Sequence, residues 1–232
     1  MNDARLLELV RQVYAAPGTS DGWASFLDSL RETFHGSTAN LIRHDLDDRR
    51  GNIQVTSGAD PEGVKRYLAY WSAFDPWTYS PKQAELGARP VMIGDELITH
   101  ADLQRTGFYN DFSRHYDLVR MIGSAVETHS SAMSVLSVSR GERQPAFGGA
   151  EGRFLETLIP HIRQAIQLHQ RLVASETAAD SLAEVVGRLS MAMLFVKRAR
   201  RSDVHERRRQ PSARARRRTD RRAARASRRV GG

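Results

Sequence analysis

The chain has 232 residues, a formal net charge of +8 and 40% hydrophobic residues, enough for one well-filled core. The absence of cysteine excludes disulfides, thiolate metal sites and cysteine nucleophiles. No segment has the apolar run of a secretory signal or of a membrane span, so we expect a soluble, cytoplasmic protein without a membrane partner.

The charge is distributed unevenly along the chain. Residues 197–232 carry 16 basic and three acidic side chains, whereas residues 1–196 carry 19 basic and 24 acidic ones. The segment 197–232 also contains no Leu, Ile, Phe, Met, Trp or Tyr. A segment with so few apolar side chains cannot bury a core. The sequence therefore predicts a folded, mildly acidic body followed by a disordered, Arg-rich tail.

The first quarter of the chain predicts two helices and a hairpin. Apolar residues recur at helical spacing over residues 5–14, and a second helix follows Asp21. Residues 39–45 and 52–57 are two short strands separated by a polar turn, which is typical of a β-hairpin.

A helix and a break come next. Asp60 followed by Pro61 is a helix-start signature, because Asp caps free amides and proline fits the first turn. The spacing predicts that this helix runs to about Phe74, where Asp75 and Pro76 end it. Residues 91–93 then predict a short strand, and short helical segments follow.

The second half predicts another strand pair and long helices. Residues 119–128 and 133–139 are the strands, and an amphipathic helix spans residues 150–173. We expect Pro160 to kink this helix or to start a new one, and a separate helix to cover residues 178–189. This order predicts an α+β sandwich with a mostly antiparallel sheet flanked by helices.

Five short segments in this order resemble the N-terminal sensory region of LuxR-type helix-turn-helix transcriptional regulators. They are Arg5–Val10, Gly58–Glu62, Phe74–Trp77, Phe108–Phe112 and Leu158–Ala165. The resemblance runs from about residue 3 to 196. It implies a PAS/GAF-like sensory domain over 1–174 and, over 175–196, a helix and strand that open a second PAS-like unit. It further implies that a small molecule or partner controls DNA binding and transcription.

The tail over 197–232 departs from the family pattern, because the family places its helix-turn-helix domain at the C-terminus. We expect that domain to be absent from this chain and the tail to be the product of a frameshift. A different interpretation is an arm that binds nucleic acid without sequence specificity, because dense arginine neutralises phosphates. The candidate residues for that role are Arg207, Arg208, Arg209, Arg216, Arg217 and Arg218.

An aromatic cluster around an Asp-Pro pair is the candidate ligand site. At helical spacing its upstream members share one broad face, either as core packing or as the wall of a small-molecule pocket in which Asp75 is a polar anchor. Acyl-homoserine-lactone receptors of the LuxR class resemble this segment only in part, so lactone binding is not carried over. The candidate ligand-binding residues are Tyr67, Tyr70, Trp71, Asp75 and Trp77.

One catalytic pattern occurs, G-x-S-x-G at residues 18–22, but a nucleophile elbow needs a strand before the serine and a helix precedes it here. We therefore interpret these residues as a turn that caps the second helix. The sequence has no P-loop, no G-x-G-x-x-G and no H-E-x-x-H, and its eight histidines are scattered. We therefore expect no enzyme, no metal and no cofactor. The helix over 150–173 and the helix that follows it offer an apolar stripe, either for a homodimer or for covering the sheet. A small-molecule binding protein without a DNA role is the remaining alternative.

Overall fold

The computed structural model describes residues 2–82 and 89–188. Its helices are α1 (Asp3–Ala15), α2 (Gly22–Thr33), α3 (Pro61–Ala69), α4 (Gly94–Leu97), α5 (His100–Leu103) and α6 (Gly149–Arg188). Single helical turns lie at Ala16–Gly18, Trp71–Phe74, Phe108–Phe112 and Ser113–Tyr116. The strands are β1 (Thr38–Asp45), β2 (Arg50–Ser57), β3 (Met92–Ile93), β4 (Arg120–Thr128) and β5 (Ala132–Arg140).

Within the described residues, the strands form one five-stranded sheet in the order β2-β1-β5-β4-β3. Every neighbouring pair is antiparallel. The two predicted hairpins are β1–β2 and β4–β5, and pairing of β1 with β5 joins them at the centre of the sheet. The predicted α+β class with an antiparallel sheet flanked by helices is confirmed.

The two faces of the sheet bury different partners because successive side chains of a strand point to opposite sides. On β1, Ala39 and Leu41 belong to the main apolar core that α1, α2 and α6 form with the sheet. Leu41 lies opposite Leu136 of β5 in the register, and both are buried. We call this side the helical face and the opposite side the cavity face.

Arg140 ties the end of the sheet to the start of α6. Its guanidinium is buried and donates to the backbone carbonyl of Phe34 at 2.6 and 2.9 Å and to the carboxylate of Glu151 at 3.0 Å. The same guanidinium stacks over the ring of Phe147, 3.9 Å from its centroid. The first turn of α6 is therefore held directly against the last residue of β5.

The segment between β2 and β4 covers the cavity face. α3 begins where the sequence predicts, and the carboxylate of Asp60 accepts hydrogen bonds from the amides of Glu62 and Gly63. The prediction that this helix reaches Phe74 is wrong, because α3 ends at Ala69 and Tyr70 leaves helical geometry at φ −149°. The break turns the chain, so the predicted aromatic face is split between two elements.

The helices predicted over 150–173 and 178–189 are one continuous helix, α6, which also passes through Pro160. Alanines are strong helix formers, and the hydroxyl of Thr177 donates to the carbonyl of Val173 within the helix, so Thr177 does not interrupt it. The predicted boundary between residues 174 and 175 falls within α6, and the predicted tail over 197–232 lies outside the described residues.

Candidate ligand-binding cavity

A cavity lies between the cavity face of the sheet and the segment that covers it. Its volume is about 90 Å³. One water needs about 10–15 Å³ by the same measure. The cavity therefore has room for a ligand of several heavy atoms.

The floor of the cavity is formed by alternate residues of two central strands. β1 and β5 contribute polar side chains to this floor, among them Thr38 and Asn40 of β1. In the register Thr38 lies opposite Ser139 and Asn40 lies opposite Ser137. The amide of Asn40 donates to the hydroxyl of Thr38 at 3.3 Å. Thr56 of β2 donates to the amide oxygen of Asn40 at 2.6 Å. This network fixes the orientation of Asn40 at the cavity floor.

The roof of the cavity is mainly aromatic. Trp77 and Phe108 meet edge to face at 5.7 Å, and Phe108 meets Phe112 at 5.4 Å. Tyr67 packs against Phe112 at 5.9 Å. Aromatic walls with a few polar groups are typical of small-molecule sites. The aromatic residues that line the cavity are Tyr67, Trp77, Phe108, Phe112 and Tyr116.

Two glycines allow aromatic side chains of the roof to pack closely against the backbone. A Cβ at Gly63 would lie 2.8 Å from the ring of Tyr116, and a Cβ at Gly94 would lie 2.8 Å from the indole nitrogen of Trp77. Either side chain would displace an aromatic residue of the cavity wall. Both positions therefore require the absence of a side chain.

Asp75 lies at the edge of the cavity and is 8% exposed. Its carboxylate accepts hydrogen bonds from the hydroxyl of Tyr67 at 2.8 Å and from the amides of Trp77 and Thr78 at 2.9 and 3.2 Å. Burial raises the pKa of Tyr67 well above its usual value, and the negative charge of Asp75 adds to this effect. Tyr67 is therefore a neutral donor to Asp75 at every physiological pH.

His44 is the polar residue of the cavity whose hydrogen bonding is incomplete. It is 1% exposed, its Nε2 lies 3.5 Å from the hydroxyl of Thr78, and its Nδ1 has no hydrogen-bond partner among the described residues. Burial lowers the pKa of His44, and the charge of Asp75 offsets this in part. The imidazole is therefore uncharged at neutral pH.

The structure brings three of the five candidate ligand residues together. Tyr67, Asp75 and Trp77 line the cavity. Trp71 lies behind the wall, with its ring stacked 5.8 Å from that of Phe112. Tyr70 is 57% exposed and lies outside the lining. The turn at Tyr70 accounts for this division.

Sequence reasoning missed the floor of the cavity. Its residues on β1 recur at every second position, at Thr38, Asn40, Ile42 and His44, and three of these four are polar. This alternation is the sequence pattern that could have indicated the cavity floor, but it is also typical of a strand with one solvated face. Only the covering segment turns this polar face into the inside of a cavity.

Other predicted sites fall elsewhere. The candidate nucleic-acid residues Arg207, Arg208, Arg209, Arg216, Arg217 and Arg218 lie outside the described residues. In the described ranges, no group of three or more His, Asp or Glu side chains is arranged to hold a metal ion. None of the helices described there is long and apolar enough to cross a membrane.

Comparison with known proteins gives matches in structure. No protein-family model and no curated protein sequence matches the chain. The ligand-binding domain of VqsR from Pseudomonas aeruginosa superposes with a TM-score of 0.55 at 16% identity, over 72% of this chain and 96% of that one. The chain has the fold of LuxR-type ligand-binding domains.

Two further structures share this fold. SdiA in complex with octanoyl-rac-glycerol has a TM-score of 0.51 and 17% identity, over 74% of this chain and 69% of SdiA. The phycoerythrobilin-bound GAF domain of a cyanobacterial phytochrome has a TM-score of 0.50 and 10% identity, over 73% and 98%. The GAF-like sandwich expected from the resemblance is therefore confirmed. The region expected to be sensory has the fold of LuxR-type ligand-binding domains.

Proposed function

We propose that this chain is the sensory domain of a LuxR-type transcriptional regulator and that it binds a small molecule in the cavity. The observation that carries the proposal is a cavity with an aromatic roof and several polar side chains in its floor, in which a buried imidazole nitrogen has no hydrogen-bond partner among the described residues. Buried polar atoms normally have hydrogen-bond partners, so a ligand that supplies one is favoured. The SdiA complex supports the proposal, since a ligand is bound to the same fold.

The cavity lies where a ligand would join two parts of the domain. Its floor belongs to β1 and β5 and its roof to the segment between β2 and β4. A ligand that contacts both stabilises the arrangement described above by mass action. β5 continues through Arg140 to α6, so we expect the bound state to favour one arrangement of α6 and of whatever follows it.

A homodimer through α6 is part of the proposal. Leu168, Leu172 and Val173 are between 41% and 46% exposed, beyond the part of α6 that packs on the sheet. The spacing of Leu168 and Leu172 continues in the sequence at Ala179 and Leu182 and is typical of a helix that pairs with a second copy. Light scattering measures the oligomeric state of the wild type and of Leu168→Glu, and we expect a dimer only for the wild type. A wild-type monomer contradicts it.

In the proposed regulator this domain controls DNA binding in the cytoplasm, and its own role is to bind a ligand rather than to catalyse a reaction. The tail supports a second activity, binding of nucleic acid without sequence specificity, because 16 basic residues fall within 197–232. Affinity for an arbitrary duplex should decrease steeply with salt and disappear on deletion of residues 197–232. Binding that survives the deletion contradicts this role of the tail.

The experiment for the ligand site uses 1-octanoyl-glycerol as the probe. Titration calorimetry and thermal unfolding should show binding and an increased Tm for the wild type. Ser137→Phe fills the floor of the cavity and should abolish both effects. Ser130→Phe makes the same change at an exposed position between β4 and β5 and should leave them intact. Binding that persists in Ser137→Phe contradicts the cavity as the site.

A further inference from the structure

The charges around the cavity are unbalanced. Asp75 is a buried carboxylate, and no Lys, Arg or His nitrogen of the described residues lies within 4.0 Å of its oxygens. The described residues that line the cavity include no Lys and no Arg. His44, the lining residue able to carry a positive charge, is uncharged at neutral pH because burial lowers its pKa.

The three hydrogen bonds to Asp75 come from neutral donors and leave acceptor capacity. Oδ1 accepts the amides of Trp77 and Thr78, and Oδ2 accepts the hydroxyl of Tyr67. A carboxylate has about four acceptor positions, so one remains on Oδ2. Buried charges are normally paired with an opposite charge as well as hydrogen-bonded. Asp75 lacks that countercharge in the part of the chain that the structure describes.

The aromatic roof favours a positively charged ligand, as the unpaired carboxylate of Asp75 does. The faces of Tyr, Trp and Phe rings attract cations, most strongly when water is excluded. Tyr67 carries its ring beside the carboxylate that its hydroxyl contacts, and Trp77 follows Asp75 by two residues. An anionic ligand would instead meet a buried negative charge without a basic side chain to balance it.

We propose that the cavity binds an organic cation of the alkylammonium class, with its ammonium group beside Asp75 and its alkyl part against the aromatic roof. This inference rests on the proposed function, since it names the chemical class of the ligand for the same cavity. An N–H of the ammonium group fills the remaining acceptor position on Asp75. The alkyl part occupies the space between Phe108 and the floor residues Ile42 and Val135.

The test compares three probes of equal chain length and different charge. Hexylammonium, 1-hexanol and hexanoate are titrated against the full chain at neutral pH by ligand-observed NMR. We expect hexylammonium to bind about ten-fold more tightly than 1-hexanol, and hexanoate to bind most weakly. Equal or tighter binding of 1-hexanol overturns the inference and leaves the ligand-binding function standing. If no hexyl probe binds but 1-octanoyl-glycerol does, the inference fails alone, and if none binds, both fail.

A matched pair of variants assigns the effect to Asp75. Asp75→Asn removes the charge at nearly constant shape and should reduce the affinity for hexylammonium to about that for 1-hexanol. Asp48→Asn makes the same change in the exposed turn between β1 and β2 and should retain the ten-fold preference. A preference that survives Asp75→Asn overturns the inference. The wild-type comparison of the three probes is decisive even if Asp75→Asn does not fold.

Discussion

The helical face and the cavity face belong to one sheet but are built differently. The helical face is packed with aliphatic and aromatic side chains, and the largest of them are fully buried. The cavity face has a smaller apolar cluster, polar side chains on its strands and an open volume. This difference indicates that the packing of α1, α2 and α6 on the sheet supplies most of the stability, while the segment between β2 and β4 packs less tightly and leaves a cavity.

The largest expected effect is a loss of stability that differs between two neighbouring positions of β5, one on each face of the sheet. Leu136 and Val135 are neighbours on β5, with Leu136 in the core of the helical face and Val135 lining the cavity. Leu136→Ala should reduce the free energy of unfolding by about 2–5 kcal/mol, because it leaves a void in a packed core. Val135→Ala should cost only about 1 kcal/mol, because space already adjoins that side chain. Urea denaturation measures both, and equal losses would contradict the comparison.

A smaller effect concerns the polar contacts of the cavity face. Tyr67→Phe removes the hydroxyl that donates to buried Asp75, and it should reduce the free energy of unfolding by about 1–3 kcal/mol. Tyr70→Phe is the matched control, since Tyr70 is exposed, and should change stability by no more than about 0.5 kcal/mol. Thermal and urea unfolding of the two variants give the measurement. If they behave alike, the hydrogen bond to Asp75 does not stabilise the covering segment.

The smallest effect is a dependence of stability on pH. His44 has a lowered pKa in the folded state, so between that pKa and 6.5 the unfolded chain binds a proton that the folded chain does not. The contribution of His44 to the free energy of unfolding is fully present above pH 6.5. It decreases as the pH falls below that value, by at most about 1.4 kcal/mol per pH unit. His44→Gln should flatten this part of the stability profile. A profile unchanged by the substitution would contradict the assignment to His44.

The fold was largely predictable from local patterns. The two hairpins follow from short β-type runs around polar turns, and the start of α3 follows from Asp60 and Pro61. The end of α3 was not predictable, because residues 67–74 keep helical spacing of their aromatic side chains up to Asp75. The covering segment turns at Tyr70 and buries Trp71 partly against Phe112, a contact between residues distant in sequence. Local spacing carries no information about such a contact.

The sequence by itself determined the order of helices and strands, the antiparallel class of the sheet and the concentration of aromatic residues near Asp75. The tertiary structure decided which of these residues face one space, because Tyr67 and Asp75 reach the cavity while Tyr70 does not. It also decided that the polar positions of β1 are enclosed by the covering segment. The physical reason is that enclosure depends on contacts between segments far apart in the chain, whereas helix and strand formation depend on neighbouring residues.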